Sequence, residues 1–257
     1  MTAIAAAAPH FGMNAVVSRM FGAVKRNLAV FAALAILFVG IPSALNQWAQ
    51  LQQAKDGASD ANAGAMFALM LAGWVASFIG TYVLQAAVVH GTVADLNGRR
   101  ASLGECVRTG FRNFWVLVGI SIVTGVLGGL GLLLLIVPGV ILLLRWSVSV
   151  AVAVVERRGV SDSMRRSAEL TRGHRGAILV LWLIYVLLFG LSALIAGVIV
   201  AVGMALQGDH AILQSVGISI VQTVLALFGA AGAASIYYEL RAIKEGIGPE
   251  ALAAVFD

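Results

Sequence analysis

The sequence predicts an all-α, polytopic membrane protein with six transmembrane helices. They pair as three hairpins, each preceded by an amphipathic helix lying in the cytoplasmic interface. Three observations predict this. The 257-residue chain is 60% hydrophobic and 11% charged, with mean hydropathy +0.96. Soluble domains carry about 25% charged residues, so too few charges remain here to solvate a globular surface. Apolar runs reach the roughly 20 residues a helix needs to cross the hydrocarbon core. Fifteen of the seventeen Lys and Arg residues then fall on one side of the spans.

The first span covers 28–45 and the second, longer one 65–93. An apolar stretch of 42 residues, 114–155, has room for two crossings. Pro138-Gly139 breaks it near the middle, where a tight turn separates spans three and four. Span five covers 177–204 and span six 212–236.

The basic residues sort cleanly between these spans. Arg19, Lys25 and Arg26 precede the first, and Arg99, Arg100, Arg108 and Arg112 separate the second from the third. Arg157, Arg158, Arg165, Arg166, Arg172 and Arg175 separate the fourth from the fifth, and Arg241 and Lys244 follow the sixth. The opposite side holds Lys55 with Asp56, Asp60 and Asp209, while Arg145 falls inside span four. The excess of Lys and Arg marks the cytoplasmic side, so both termini are expected there. Trp48, Trp115 and the Tyr237-Tyr238 pair suit interfacial anchors. Gly125 with Gly129, and Ala193 with Gly197, form weak small-xxx-small steps for close helix approach.

Ser102-Leu103-Gly104-Glu105 reads as a capping box, in which Ser and Glu satisfy free N–H groups at a helix start. Leu103, Cys106, Val107, Phe111 and Phe114 then recur at helical spacing, with Glu105, Arg108, Thr109 and Arg112 opposite, as an interfacial helix requires. Before span one, Val16, Val17, Met20, Phe21 and Val24 form a similar face. Before span five the face is weaker: Val160, Met164 and Ala168. The chain is one membrane domain, 1–257, with a faint parallel repeat over 14–94, 102–155 and 161–236.

Several function classes are excluded or unsupported. The net charge of +5 follows from basic flanks of apolar spans, and no nucleic-acid-binding motif accompanies it. A single cysteine, Cys106, rules out an internal disulfide and a four-cysteine metal site. The Ala-rich 1–9 segment lacks the leading charge of a cleaved signal. His90 lies near the cytoplasmic end of span two, His10, His174 and His210 lie in polar segments, and no pair has metal-ligand spacing. No carboxylate lies well inside a span, where a proton-coupled carrier needs one. No phosphate loop or nucleophile elbow is present. The expectation is no enzyme, no metal and no cofactor.

Arg145 stands out. A cation at a span centre costs about 2.5–3.5 kcal/mol on insertion scales. It either snorkels or caps carbonyls freed by the Pro138 turn, or it lines an anion or lipid-phosphate site inside the bundle, since guanidinium binds phosphate bidentately. Arg157, Arg158, Arg165, Arg166 and Arg172 form the second candidate set. Juxtamembrane basic residues attract anionic headgroups at about 1 kcal/mol each, and Glu156, Asp162 and Glu169 offset part of that charge.

Ile136-Val137-Pro138-Gly139, Arg145-Trp146-Ser147, Val154-Val155-Glu156 and the run from Arg166 through Gly173 carry a family resemblance. The stretch 136–175 resembles the membrane domain found beside some bacterial glycerophosphoryl diester phosphodiesterases. Stand-alone bacterial membrane proteins of unassigned function share that pattern. The resemblance implies a helical domain in a bacterial inner (cytoplasmic) membrane. It does not carry over the diesterase reaction, which needs a separate soluble barrel. The expected function is a non-catalytic membrane-organising or partner-binding module engaging anionic lipid, with a cytoplasmic or membrane protein as a further partner. The alternative is a carrier or channel for a lipid or small anion, with Arg145 lining a cavity.

Overall fold

The computed structural model describes residues 11–56, 63–205 and 211–246. The 1–9 segment, His10, Asp60, Asp209 and His210 lie outside the described residues. Every regular element among the described residues is helical, and six stretches are long and apolar enough to cross a bilayer. They are Leu28–Gln50, Phe67–Leu96, Leu103–Leu134, Ile136–Glu156, Arg175–Gly203 and Ile212–Glu245.

Helix α1 (Met13–Arg26) ends at Asn27, whose side-chain amide donates to the Ala23 carbonyl at 2.9 Å. Helix α2 (Leu28–Ala35), a π-helical turn (Ile36–Gly40) and α3 (Ile41–Asp56) continue as one span. The π turn inserts an extra residue and lies where the Phe38 carbonyl meets Gly80 of α4 (Ala63–Leu96); any side chain at Gly80 would run into that carbonyl.

Helix α5 (Leu103–Leu134) begins with the expected capping box: Ser102 Oγ accepts from the Glu105 N–H at 3.2 Å, and Glu105 accepts from the Ser102 N–H at 3.2 Å. The face it buries against the protein is not the apolar stripe read for the membrane interface. Cys106, Thr109, Gly110, Asn113 and Leu117 are buried, while Leu103 and Phe111 are exposed. Gly110 sets this rotation, because a Cβ there would sit 2.7 Å from the Val83 carbonyl of α4. The close backbone contact sets which face meets the protein and leaves Leu103 and Phe111 on the outside.

The turn that ends α5 falls at Leu135, not at Pro138-Gly139. Pro138 is the third residue of α6 (Ile136–Arg145), where its missing N–H belongs to the helix's unsatisfied first turn anyway. Gly128 and Gly131 take the close contacts with α6: a Cβ on Gly128 would lie 2.6 Å from Leu143, and one on Gly131 3.0 Å from Gly139. Gly125, Gly129 and Gly197 have nothing within 4 Å, so the expected small-residue steps are not helix contacts within this chain.

The fourth stretch is broken. Helix α6 stops at Arg145, residues 146–148 form a turn, and α7 (Ser149–Glu156) follows. Helix α8 (Val160–Leu170) packs back along α7, and α9 (Arg175–Ala205) and α10 (Ala211–Glu245) complete the chain. The buried face of α8 includes Ser163, Met164, Ser167 and Ala168, followed by Thr171, so hydroxyls line much of a face expected to be apolar.

Burial concentrates at the end of the bundle that carries the basic residues. Between positions 67 and 78, α4 exposes Phe67, Leu71 and Trp74; between 83 and 94 it buries its apolar side chains. Helix α10 repeats the pattern, with Ile212, Leu213 and Ile220 exposed and Leu227, Ala231 and Leu240 buried. One core cluster joins α4 and α10 to α5 and α7; the other joins them to α1 and α2. Exposed Leu, Ile and Phe on the remaining lengths fit a hydrocarbon solvent, which needs no polar cover.

Candidate functional site

The basic end contains two sets of cations. In the first, each guanidinium meets a carboxylate. Glu156, closing α7, takes Arg158 at 2.7 Å, Arg166 at 3.4 Å and the Tyr237 hydroxyl at 3.1 Å. Glu245 takes Arg166 and, at 2.6 Å, Arg241. Glu239 takes Arg19 and the Gly12 N–H, the latter at 3.1 Å. Asp95 receives Arg26 through two nitrogens and the Asn27 amide at 2.9 Å. Pairing with Asp95 raises the Arg26 pKa. These contacts tie α7, α8 and α10 together, α1 to α10, and the α1–α2 junction to α4. Tyr237 is a buried member of this network rather than an interfacial anchor. Tyr238 donates to the Leu96 carbonyl at 3.4 Å, under the Arg19 guanidinium.

In the second set the side chains are exposed and meet no carboxylate among the described residues: Lys25, Arg99, Arg100, Arg108, Arg112, Arg145, Arg157 and Arg172. Three of them come from separate segments: Arg99 from the α4–α5 loop, Arg112 from α5 and Arg157 from the α7–α8 turn, all within electrostatic range of His90, as is Glu105. Arg157 has φ 54° and ψ 42°, the left-handed conformation common just past a helix C-terminus. A cation there also complements the helix dipole. Helix α5 presents Arg108, Phe111, Arg112 and Trp115 at helical spacing on its exposed side, Trp115 being 77% exposed. Ring and guanidinium side by side suit the boundary between acyl chains and headgroups.

The six sequence candidates therefore separate. Arg158, Arg165 and Arg166 are held by Glu156, Asp162 and Glu245. Arg157 is exposed on the α7–α8 turn with no carboxylate partner among the described residues. Arg172 is exposed just past α8, within electrostatic range of Lys244 together with Arg166, Glu169 and Arg175. Arg145 is exposed at the end of α6, and neither described cleft reaches it. Its backbone carbonyl accepts Ser167 Oγ at 2.9 Å and Thr171 Oγ1 at 3.4 Å. Sequence spacing alone missed Arg99 and Arg112 as exposed, unpaired cations alongside Arg157, because the three lie far apart in the chain.

A cleft of about 310 Å³ opens between α3, α4 and α10, lined by Ser43, Asn46, Gln47, Ser77, Thr81 and Gln222 among others. Asn46 Oδ1, Ser77 Oγ and Thr223 Oγ1 are buried without a hydrogen-bond partner. An apolar groove of about 330 Å³ runs along Phe67, Trp74 and Phe78 of α4. No group of three or more metal-ligating side chains occurs among the described residues. In comparisons with known protein families, curated proteins and solved structures, the chain matches none.

Proposed function

We propose that this chain is a non-catalytic membrane-organising module whose basic end lies in the cytoplasmic leaflet and holds anionic lipid headgroups. The observation that carries this reading is the exposed row Arg108, Phe111, Arg112 and Trp115 on α5, with Arg99 on the α4–α5 loop and Arg157 on the α7–α8 turn also exposed, and none of the four arginines ion-paired to a carboxylate among the described residues. Evenly paired charges would serve folding alone; exposed cations beside Phe111 and Trp115 attract a phosphate-bearing surface. Each contributes about 1 kcal/mol near an anionic membrane. The reading sets both termini in the cytoplasm, by the excess of Lys and Arg at that end. It agrees with the resemblance of 136–175 to a phosphodiesterase-associated membrane domain of bacterial inner membranes, which rests on those residues alone.

The test is a phosphatidylglycerol titration of the protein in zwitterionic micelles, read as thermal stability. The wild type should gain stability with anionic lipid, and less so in high salt. Arg99→Gln/Arg112→Gln/Arg157→Gln should lose most of that gain, while Arg165→Gln, whose partner is Asp162, should keep it. Equal gains in all three proteins would refute the reading.

A carrier or channel is the second reading, favoured by the cleft between α3, α4 and α10. Its lining is uncharged and excludes Arg145, so the solute it suits is neutral and polar rather than an anion. Osmotic uptake of glycerol by proteoliposomes no faster than by empty liposomes would rule against it.

A further inference from the structure

We propose that the cleft between α3, α4 and α10 is a blind binding site for a neutral, hydroxyl-rich group, a sugar or a polyol. The ligand enters from the side opposite the basic end. The site lies in the other half of the bundle from the exposed arginines, so it does not depend on headgroup binding. It also needs no transport route.

Three helices place the cleft. Arg26 pairs with Asp95, which sets the first span and α4 in a common register at the basic end. The α3 lining residues Ser43, Asn46, Gln47 and Gln50 lie about 25–36 Å of helix from Arg26, at 1.5 Å per residue. On α4, Thr81 and Ser77 lie about 21–27 Å from Asp95. On α10, Gln222 lies about 28 Å from Arg241. All of these distances exceed half of a hydrocarbon core of about 30 Å. The cleft therefore belongs to the leaflet away from the basic end.

Its chemistry is uniform. Four carboxamides and three hydroxyls line it, with Val39 and Ala226 beside them and no charged group. Carboxamides and hydroxyls each both donate and accept hydrogen bonds. They match a ligand whose own groups do both, as those of sugars and polyols do. An ion would lose hydration there and find no opposing charge. An acyl chain would leave the lining unsatisfied. Asn46 Oδ1, Ser77 Oγ and Thr223 Oγ1 are already buried without a hydrogen-bond partner among the described residues, and Thr223 is only 9% exposed. Buried polar atoms are normally bonded, to protein or to another molecule. The volume of about 310 Å³ falls at the small end of ligand pockets, about 300–1,000 Å³.

The π turn prepares this lining. Val39 of the turn lines the cleft, and a Cβ on Gly40 would sit 3.5 Å from Thr223 Oγ1. The extra residue of a π turn rotates the helix face that follows it. Here the following face gathers the hydroxyl of Ser43 and the carboxamides of Asn46, Gln47 and Gln50 into one surface.

Toward the basic end the same segments close on apolar side chains. Leu34, Ala35, Leu84, Val88, Leu227 and Ala231 are 0–6% exposed and share one core. Close packing of that kind leaves a polar solute no path, so the cleft ends there.

The test uses the whole chain in phosphatidylcholine nanodiscs free of glycoside detergent. Methyl α-glucoside is the soluble probe, read by saturation-transfer difference NMR. Diglucosyl diacylglycerol is the membrane-borne probe, read as lipid retained in native mass spectrometry. The wild type should bind at least one of them. Binding of the free glucoside assigns a soluble sugar, and retention of the glycolipid alone assigns a lipid headgroup. Gln47→Leu/Gln222→Leu should weaken the observed signal about tenfold or more, as the loss of two hydrogen bonds implies. Buried Cys106 should stay protected from a thiol-reactive dye in that variant, which shows that it is folded. Ser77→Ala, a smaller change, should weaken the signal too and replaces the double variant if Cys106 becomes reactive. Arg99→Gln/Arg112→Gln/Arg157→Gln should keep the signal; its loss there would move the ligand to the basic end and overturn the proposal. Neither probe bound by the wild type, or equal signals in the folded cleft variants, would overturn it as well. Glucoside entry into proteoliposomes faster than into empty liposomes would contradict the blind base.

Discussion

Glu156 joins three elements through one carboxylate: Arg158 beside it, Arg166 on α8 and Tyr237 on α10. Its side chain is only 12% exposed, so removing the charge leaves Arg158 without a carboxylate and weakens the hold on Arg166, which keeps Glu245. Glu156→Gln should cost about 2 kcal/mol, near 5 °C for a chain of this size. The buried Cys106 supplies the readout, since a thiol-reactive dye reaches it only on unfolding. Arg145 should behave differently. Its exposed side chain has no partner among the described residues, so Arg145→Leu should change stability by less than about 0.5 kcal/mol. Loss of the hydroxyl contacts to its carbonyl should matter more: Ser167→Ala should cost about 1 kcal/mol in the same dye assay. Individual charges were legible in the sequence, but their pairing was not. Arg157 and Arg158 are adjacent and chemically identical, yet Arg157, with its left-handed backbone, meets no carboxylate among the described residues while Arg158 turns to Glu156.

The capping box at Ser102 was legible because it depends on residues three apart. The rotation of α5 was not, because it depends on Val83, on another helix. Gly110→Leu should therefore disrupt the α4–α5 contact despite adding apolar surface, lowering the unfolding temperature in the Cys106 assay. Overpacking a tight contact typically costs about 1–3 kcal/mol. Ser102→Ala should cost only about 1 kcal/mol. Pro138 misled for a physical reason. A proline in an apolar run reads as a turn, but in a helix's first turn it has no hydrogen bond to lose. The break after Arg145 carries no Gly or Pro; the serine hydroxyls around it cap carbonyls instead, Ser147 taking Leu144 and Ser149 taking Trp146. Such local bonds compete with helix continuation without an unambiguous sequence mark.

At the scale of the whole molecule, the membrane class and the basic end were legible because hydrocarbon and charge act on composition, not on register. The polar cleft between α3, α4 and α10 was hidden, since its amides and hydroxyls are spread over three separate spans. The free arginines at the basic end predict a salt-dependent preference for anionic lipid. Screening acts over about 8 Å at physiological ionic strength, so raising salt should weaken the preference while leaving the buried cores intact. The most direct test is native mass spectrometry of the protein extracted from a mixture of phosphatidylglycerol and phosphatidylcholine, wild type beside Arg99→Gln/Arg112→Gln/Arg157→Gln. The account predicts phosphatidylglycerol enriched on the wild type and reduced about tenfold or more in the triple variant, from about 1 kcal/mol per arginine. Equal retention of phosphatidylglycerol by the two proteins, or no enrichment over phosphatidylcholine on the wild type, would contradict it.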